Sequence, residues 1–446
     1  MERCESRRAV RIRSELPAIA RGLAAILLGA QLSSWLFFMP AALSGHADFR
    51  QLYTAGFMLR TGDRHLIYDP QAQMSAQNAL VSREQTILPF NHLAYEAVGF
   101  APLSLISYRN AYFVFLAFNS LLLFFAMFAL DQAVTLGKQV FALCICFLPV
   151  AIALMQGQDS IVLLALFASA YLALHRRNDL LAGALIGLGM FKFQLVLPIA
   201  FLFLCWRKWR FVASFATAAV ITIIGSILLV GWTQMLVYAH SLSAMSAGLA
   251  SKADQAIYGI SPGAMPNLRG LAFGIFGKLL ESRSQHLLIF GFSGLVLLWA
   301  AKQKPRTSAA AFEFAIIASS IVSYHLLPHD WSVLLVPLSA LAAKGWKFLE
   351  FRSGLLIASA MVFLSPLLLI LGRDYFFLGG IPLLALLYFW HSEEEGHLQC
   401  PVPQSAAAPA PAPITSHFAA RLVRVQNVPP LSSVCKSVFS FFNCSI

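Results

Sequence analysis

GLAAILLGAQLSSWLFFMPAAL, residues 22–43, carries no charge from end to end, and its reading decides the fold. At about 1.5 Å of rise per residue, a helix of this length covers the roughly 30 Å hydrocarbon core of a bilayer. It follows Arg7, Arg8, Arg11, Arg13 and Arg21, as the core of a signal peptide would, yet it exceeds a secretory h-region and lacks a small-x-small cleavage site. The stretch is therefore read as a retained first transmembrane helix, entered from the basic, cytoplasmic side.

The rest of the chain agrees with that reading. Apolar residues make up 59 % of it and charged residues 12 %, its mean hydropathy is +0.71, and further long uncharged runs follow. This composition predicts an all-α polytopic integral membrane protein. The formal charge of +12 lies in short basic clusters between apolar runs, not on one stripe, so it reports topology and excludes a nucleic-acid partner. Cys144 and Cys146 lie inside an apolar run and Cys205 ends another, while Cys4, Cys400, Cys435 and Cys444 are scattered near the termini. Neither a disulfide framework nor paired metal spacing results.

Basic clusters used as cytoplasmic markers trace the path. After the first span, 108–130 returns inward, 137–155 goes out and 160–174 comes back. The stretch 180–206 lies between Arg176-Arg177 and Arg207-Lys208-Trp209-Arg210, both of which belong on the cytoplasmic side. Two half-crossings meeting near Phe191-Lys192-Phe193-Gln194 keep both clusters inside and put Lys192 at an outer tip. The segments 211–231, 285–301, 309–327, 330–343, 354–371 and 375–390 complete about twelve crossings with both termini inside. The expected organisation is a basic cytoplasmic N-terminus at 1–21, a membrane domain at 22–391, and a disordered Ala/Pro-rich cytoplasmic tail at 392–446. Two long outer segments remain, 44–107 and 232–284. In the first, Phe49, Leu52, Tyr53 and Phe57 recur at helical spacing, as does the run 71–80, which predicts amphipathic helices along the membrane interface.

Polar residues concentrate on the outer side of this map. Asp48, in Gly45-His46-Ala47-Asp48-Phe49-Arg50, is either the cap of the following helix or a base held near a lipid-borne hydroxyl. Gln156-Gly157-Gln158-Asp159-Ser160 is a tight turn with a capping Asp, or a set of side chains that binds the hydroxyls of a sugar or acceptor. Lys192 inside an apolar stretch snorkels, or faces a cavity and meets a phosphate. Arg269 is solvated, or presents its planar fork to phosphate oxygens. His325, His329 and Asp330 fall together in one connection, suited to a pyrophosphate-like group, a sugar or a metal. No HExxH, P-loop, GxGxxG, GxSxG or DxD motif occurs, so a soluble nucleotide-sugar donor is not expected.

Taken in order, Asp48-Phe49 with Tyr53, Gly62, Leu66-Ile67-Tyr68-Asp69, Gln156-Gly157-Gln158-Asp159-Ser160, Ala182-Gly183, Lys192, Asn267-Leu268-Arg269-Gly270 and His329-Asp330 resemble the polyprenol-phosphate-sugar-dependent glycosyltransferases of family 87. The aromatic-Pro-Pro element usual after the first loop is reduced to Leu88-Pro89-Phe90-Asn91-His92. The resemblance implies a GT-C architecture in a bacterial inner membrane with its site on the periplasmic side. It implies Asp48 as general base, and with it go Lys192, Arg269 and His329 at the donor phosphate and Gln156, Gln158, Asp159, Asn267 and Asp330 at the sugar or acceptor. The implied partners are a polyprenyl-phosphate hexose, typically mannose, a glycolipid or glycan acceptor, and membrane lipids. No cofactor is implied, and a divalent cation is left open. A transporter or flippase of a lipid-linked sugar is the competing class, although neither internal repeats nor midplane polar residues are seen. An inactive scaffold would tolerate Asp48→Asn.

Overall fold

The computed structural model describes residues 2–399 except 82–86, 248–260, 278, 304 and 346–352. Met1–Gln399 forms one compact unit, and among its described residues every element is a helix. The tail expected at 392–446 lies outside the described residues from Cys400 onward, and the last helix runs to Gln399.

Helix α1 (Glu2–Ala41) ends in a π-helical turn, Ala42–His46, where Gly45 at φ 93° breaks the helical path. Such a φ favours glycine, which has no Cβ to clash. The break lets α2 (Phe49–Thr61) leave in a new direction, with Asp48 at the junction. The apolar side of α2, including Phe49, Leu52, Tyr53 and Ala55, is buried. Gly56 sits so close to Phe100 that an added Cβ would lie 2.4 Å from its backbone carbon. The amphipathicity of α2 is thus spent on packing inside the protein, not on the membrane interface. Asp69 caps α3 (Pro70–Leu80) by accepting from the Ala72 N–H at 2.7 Å.

Helix α4 (Tyr108–Val134) shows how an apolar sequence sorts its faces. Ala111, Phe115, Asn119, Leu123 and Ala126 recur at helical spacing and are buried, whereas Phe113, Phe118, Leu121, Phe124 and Phe128 are exposed. An apolar outward face on this scale fits hydrocarbon as its solvent. Next come α5 (Lys138–Cys146) and α6 (Leu148–Gln156), bent by 59° at their junction, then α7 (Ser160–His175).

The ambiguous stretch divides into α8 (Asp179–Leu188), a 3-10 turn over Gly189–Lys192, and α9 (Phe193–Cys205). Gly183 and Gly187 of α8 pack against Phe211 and Ala218 of α10 (Trp209–Val230), so these two helices run in parallel. Phe203, near the end of α9, lies 4.0 Å from that same Phe211 ring, ring centre to ring centre. The end of α9 therefore lies level with Gly183, and the chain folds back on itself with Lys192 near the turn. By length and composition alone the stretch Asp179–Cys205 also qualifies as one span, but the neighbours of its two halves favour the hairpin.

The remaining helices are α11 (Trp232–Ala247), α12 (Leu268–Phe276), α13 (Ser282–Lys302), α14 (Ser308–Val322), α15 (Leu335–Gly345), α16 (Ser353–Leu364) and α17 (Gly380–Gln399). Five helices are long and apolar enough to cross a membrane, or six if the bent pair α5–α6 counts as one span. The expected total of about twelve is not reached by that measure. The shorter apolar helices at Ser160–His175, Ser308–Val322 and Gly354–Ile370 stand apart from it.

Candidate functional site

Asp48 does not cap α2: its side chain makes no capping hydrogen bond. Its carboxylate Oδ2 instead accepts from Gln158 Nε2 at 2.6 Å, across 110 residues of sequence. The Asp48 backbone N–H donates to Gln156 Oε1 at 3.2 Å. Asp48 is half-buried, and Oδ1 has no hydrogen bond among the described residues.

The two glutamines reach Asp48 because the turn between them is tightly made. Gly157 adopts φ 57°, and an added Cβ there would lie 2.7 Å from the Phe49 Cβ. Asn119 Nδ2 donates to the Gln158 carbonyl at 2.9 Å, and the Tyr112 hydroxyl donates to the Met155 carbonyl at 2.6 Å. Phe49 is fully buried beside the turn and stacks on Phe115 with ring centres 5.3 Å apart. One aromatic core therefore holds both sides of the Asp48–Gln158 contact.

A charged cluster adjoins this turn. Lys192 is 5 % exposed, and its Nζ lies 3.1 Å from both Asp159 Oδ1 and Asp330 Oδ1. A buried ammonium is costly when unpaired, and two carboxylates supply its partners. Asp159 therefore does not cap α7. The Ser160 hydroxyl donates to Asp330 Oδ1 at 2.9 Å, and the Leu327 N–H donates to Asp330 Oδ2 at 3.1 Å. His329 Nε2 is 3.6 Å from Asp330 Oδ1. Burial, aided by the charge of Lys192, lowers the His329 pKa despite the neighbouring carboxylates, which favours a neutral ring at neutral pH.

On the other side of Asp159 stand two residues that sequence reasoning left out of the site. His92 Nδ1 lies 2.5 Å from Glu96 Oε2 and 2.9 Å from Asp159 Oδ2. Burial alone would lower the imidazole pKa, but the carboxylates of Glu96 and Asp159 outweigh it and raise it to about 10. Burial raises the Glu96 carboxyl to about 8 against the pull of His92. For Asp159 burial acts upward, and Lys192 and His92 overcome it to hold the carboxyl below the usual carboxylate range. One donor atom from each of His92, Glu96 and Asp159 falls within 4.8 Å of the others. The ring of His92 stacks on Phe90 with centres 5.5 Å apart, and the Tyr68 hydroxyl donates to the His92 carbonyl at 2.8 Å.

Asn267 and Arg269 approach from α12. Asn267 Oδ1 accepts from the Gly270 N–H at 3.1 Å and Nδ2 donates to the Ser323 carbonyl at 2.6 Å, so both ends of its amide are engaged within the protein. Arg269 lies over the Tyr324 ring at 4.1 Å and donates to the Tyr324 carbonyl at 3.2 Å. It is half-buried, and desolvation lowers its pKa.

Thus Asp48, Gln156 and Gln158 form one hydrogen-bonded group, and Asp159 carries the chain from it into the cluster of Lys192, Asp330 and His329. Arg269 and Asn267 touch the same 323–330 connection at its other end. The expected sugar contacts are already occupied within the protein: Gln158 on Asp48, Asn267 on its own helix, and Asp159 and Asp330 on Lys192. The additional residues are His92, Glu96, Ser160 and Tyr324. Only the one-turn spacing of His92 and Glu96 was visible beforehand.

A protein-family model described as glycosyltransferase family 87 matches residues 96–328. No curated protein and no solved structure matches the chain.

Proposed function

This chain belongs to glycosyltransferase family 87, and on that premise we propose that it moves a hexose, mannose foremost, from a polyprenyl-phosphate donor to a lipid-linked or glycan acceptor. In this proposal the reaction takes place on the periplasmic side of a bacterial inner membrane, with about twelve crossings around the site. The Asp48 carboxylate accepts the proton of an acceptor hydroxyl as its oxygen attacks the anomeric carbon. The bond from that carbon to the phosphate oxygen breaks, and the polyprenyl phosphate leaves with the electron pair. A single displacement inverts the carbon.

The observation that carries the assignment is the state of the Asp48 carboxylate. It is half-buried and does not cap its helix; Gln158 holds one oxygen, and the other has no hydrogen bond among the described residues. A general base needs both a fixed position and an accessible lone pair. The family match begins at residue 96, so Asp48 is tied to the matched region through Gln156 and Gln158. The departing phosphate would be met by Arg269 and His329, with Lys192 adding positive charge in a water-poor site, where fixed charges act strongly.

Purified protein assayed with a polyprenyl-phosphate-linked hexose and a membrane glycolipid acceptor tests the proposal. It predicts transfer from the lipid donor, none from a nucleotide sugar, and an inverted anomer by NMR of the product. Transfer from the nucleotide sugar alone, or a retained anomer, contradicts it.

A further inference from the structure

The corner between the first outer segment and α7 gathers His92, Glu96 and Asp159 around one point. The Nδ1 atom of His92 bears at most one hydrogen, yet it faces Glu96 Oε2 at 2.5 Å and Asp159 Oδ2 at 2.9 Å. A single proton satisfies one of these oxygens. The second oxygen of Glu96, Oε1, is buried and has no hydrogen-bond partner among the described residues, on a side chain only 8 % exposed. Asp159 and Asp330 share Lys192, whereas Glu96 and Asp159 share His92. A divalent cation bound by a neutral imidazole and two ionised carboxylates would take the place of the protons that His92 and Glu96 otherwise hold.

We infer that His92 Nδ1, a Glu96 oxygen and Asp159 Oδ2 form a three-ligand site for a divalent transition-metal ion. Their donor atoms already lie within 4.8 Å of one another. Ligands about 2.1 Å from a tetrahedral ion are about 3.4 Å apart, so the 2.5 and 2.9 Å separations widen to admit an ion by side-chain shifts of less than about 1 Å. One imidazole nitrogen with two carboxylate oxygens suits Zn²⁺ or Mn²⁺; Mg²⁺ and Ca²⁺ favour oxygen ligands throughout. Asp159 divides its oxygens, Oδ2 toward the ion and Oδ1 toward Lys192. The Tyr68 hydroxyl and the Phe90 ring fix the backbone and the face of His92, as the surroundings of a metal-bound histidine do. Three protein ligands leave a fourth position for water or an anionic oxygen. The site joins the 92–96 turn to the start of α7, so a bound ion would pin the segment that carries Lys192's partner Asp159.

The measurement is metal content, and it is independent of whether the chain transfers sugar. Full-length protein with any affinity tag removed is stripped with chelator and dialysed against Zn²⁺ or Mn²⁺. Retained metal is then quantified by mass spectrometry for wild type, His92→Ala and the near-isosteric Glu96→Gln. The expected result is about one ion per wild-type chain and at least tenfold weaker retention in both variants, with Mn²⁺ electron paramagnetic resonance showing a nitrogen ligand that His92→Ala removes. Wild-type protein that retains neither ion overturns the inference and leaves a proton as the cluster's occupant. Retention that is equal in wild type and Glu96→Gln also overturns it. If His92→Ala fails to fold, the wild-type content and Glu96→Gln decide between these outcomes.

Discussion

Gln158→Ala removes the donor that holds Asp48 Oδ2 at 2.6 Å and leaves the base without its orienting contact. A hydrogen bond to a charged group is worth about 1.5–3 kcal/mol, and each 1.4 kcal/mol of barrier is a factor of ten. If that energy is lost wholly from the transition state, kcat falls by about 10- to 150-fold. If Gln158 acts only by orienting Asp48, KM for donor and acceptor stays within about threefold. Gln158→Glu falls further, since it sets a second carboxylate against the first. The assay is initial-rate transfer with both substrates varied, on protein shown to be folded by size exclusion. An unchanged kcat with a raised KM would refute the reasoning and return Gln158 to the substrate-contact role its sequence context suggested.

Gly157→Ala places a side chain at φ 57° and a Cβ 2.7 Å from that of Phe49. It costs about 2–4 kcal/mol, visible as a lowered melting temperature in detergent, and activity falls as the turn moves. Lys192→Met strands Asp159 and Asp330, each 3.1 Å from the lost ammonium, and destabilises by about 3–5 kcal/mol. Adding Asp330→Asn recovers part of that loss in the same thermal assay, and no recovery would argue against the pairing. Arg269→Lys keeps the charge but gives up the planar stacking on Tyr324; KM for the lipid donor rises about 5- to 30-fold, read from donor titrations.

The membrane class, the helical content and the polar character of the 156–160 turn were legible in sequence because they depend on local composition and charge. Lys192 near a turn was legible too, since two flanking basic clusters cannot both stay inside if the chain crosses once. Whether Asp48 caps its own helix was not. A cap and a base have the same local signature, and the choice rests on Gln158, which is 110 residues away. Asn267 shows the same limit: that its side chain caps its own helix, accepting from the Gly270 N–H, is not told by the residue type alone. His92 and Glu96 were visible only as an i, i+4 pair. Their meeting with Asp159 depends on how the first outer segment packs onto α7, which no periodicity encodes. The burial of α2 is of the same kind: amphipathic spacing says that one face is apolar, not whether lipid or protein covers it.

The central claim is that the Asp48 carboxylate takes the acceptor's proton. Asp48→Asn keeps the shape and volume of the side chain while removing its basicity, so it should bind the lipid donor as wild type does and lose transfer by about 10²- to 10⁴-fold in single-turnover measurements. A folded Asp48→Asn protein that transfers sugar at the wild-type rate would contradict the account.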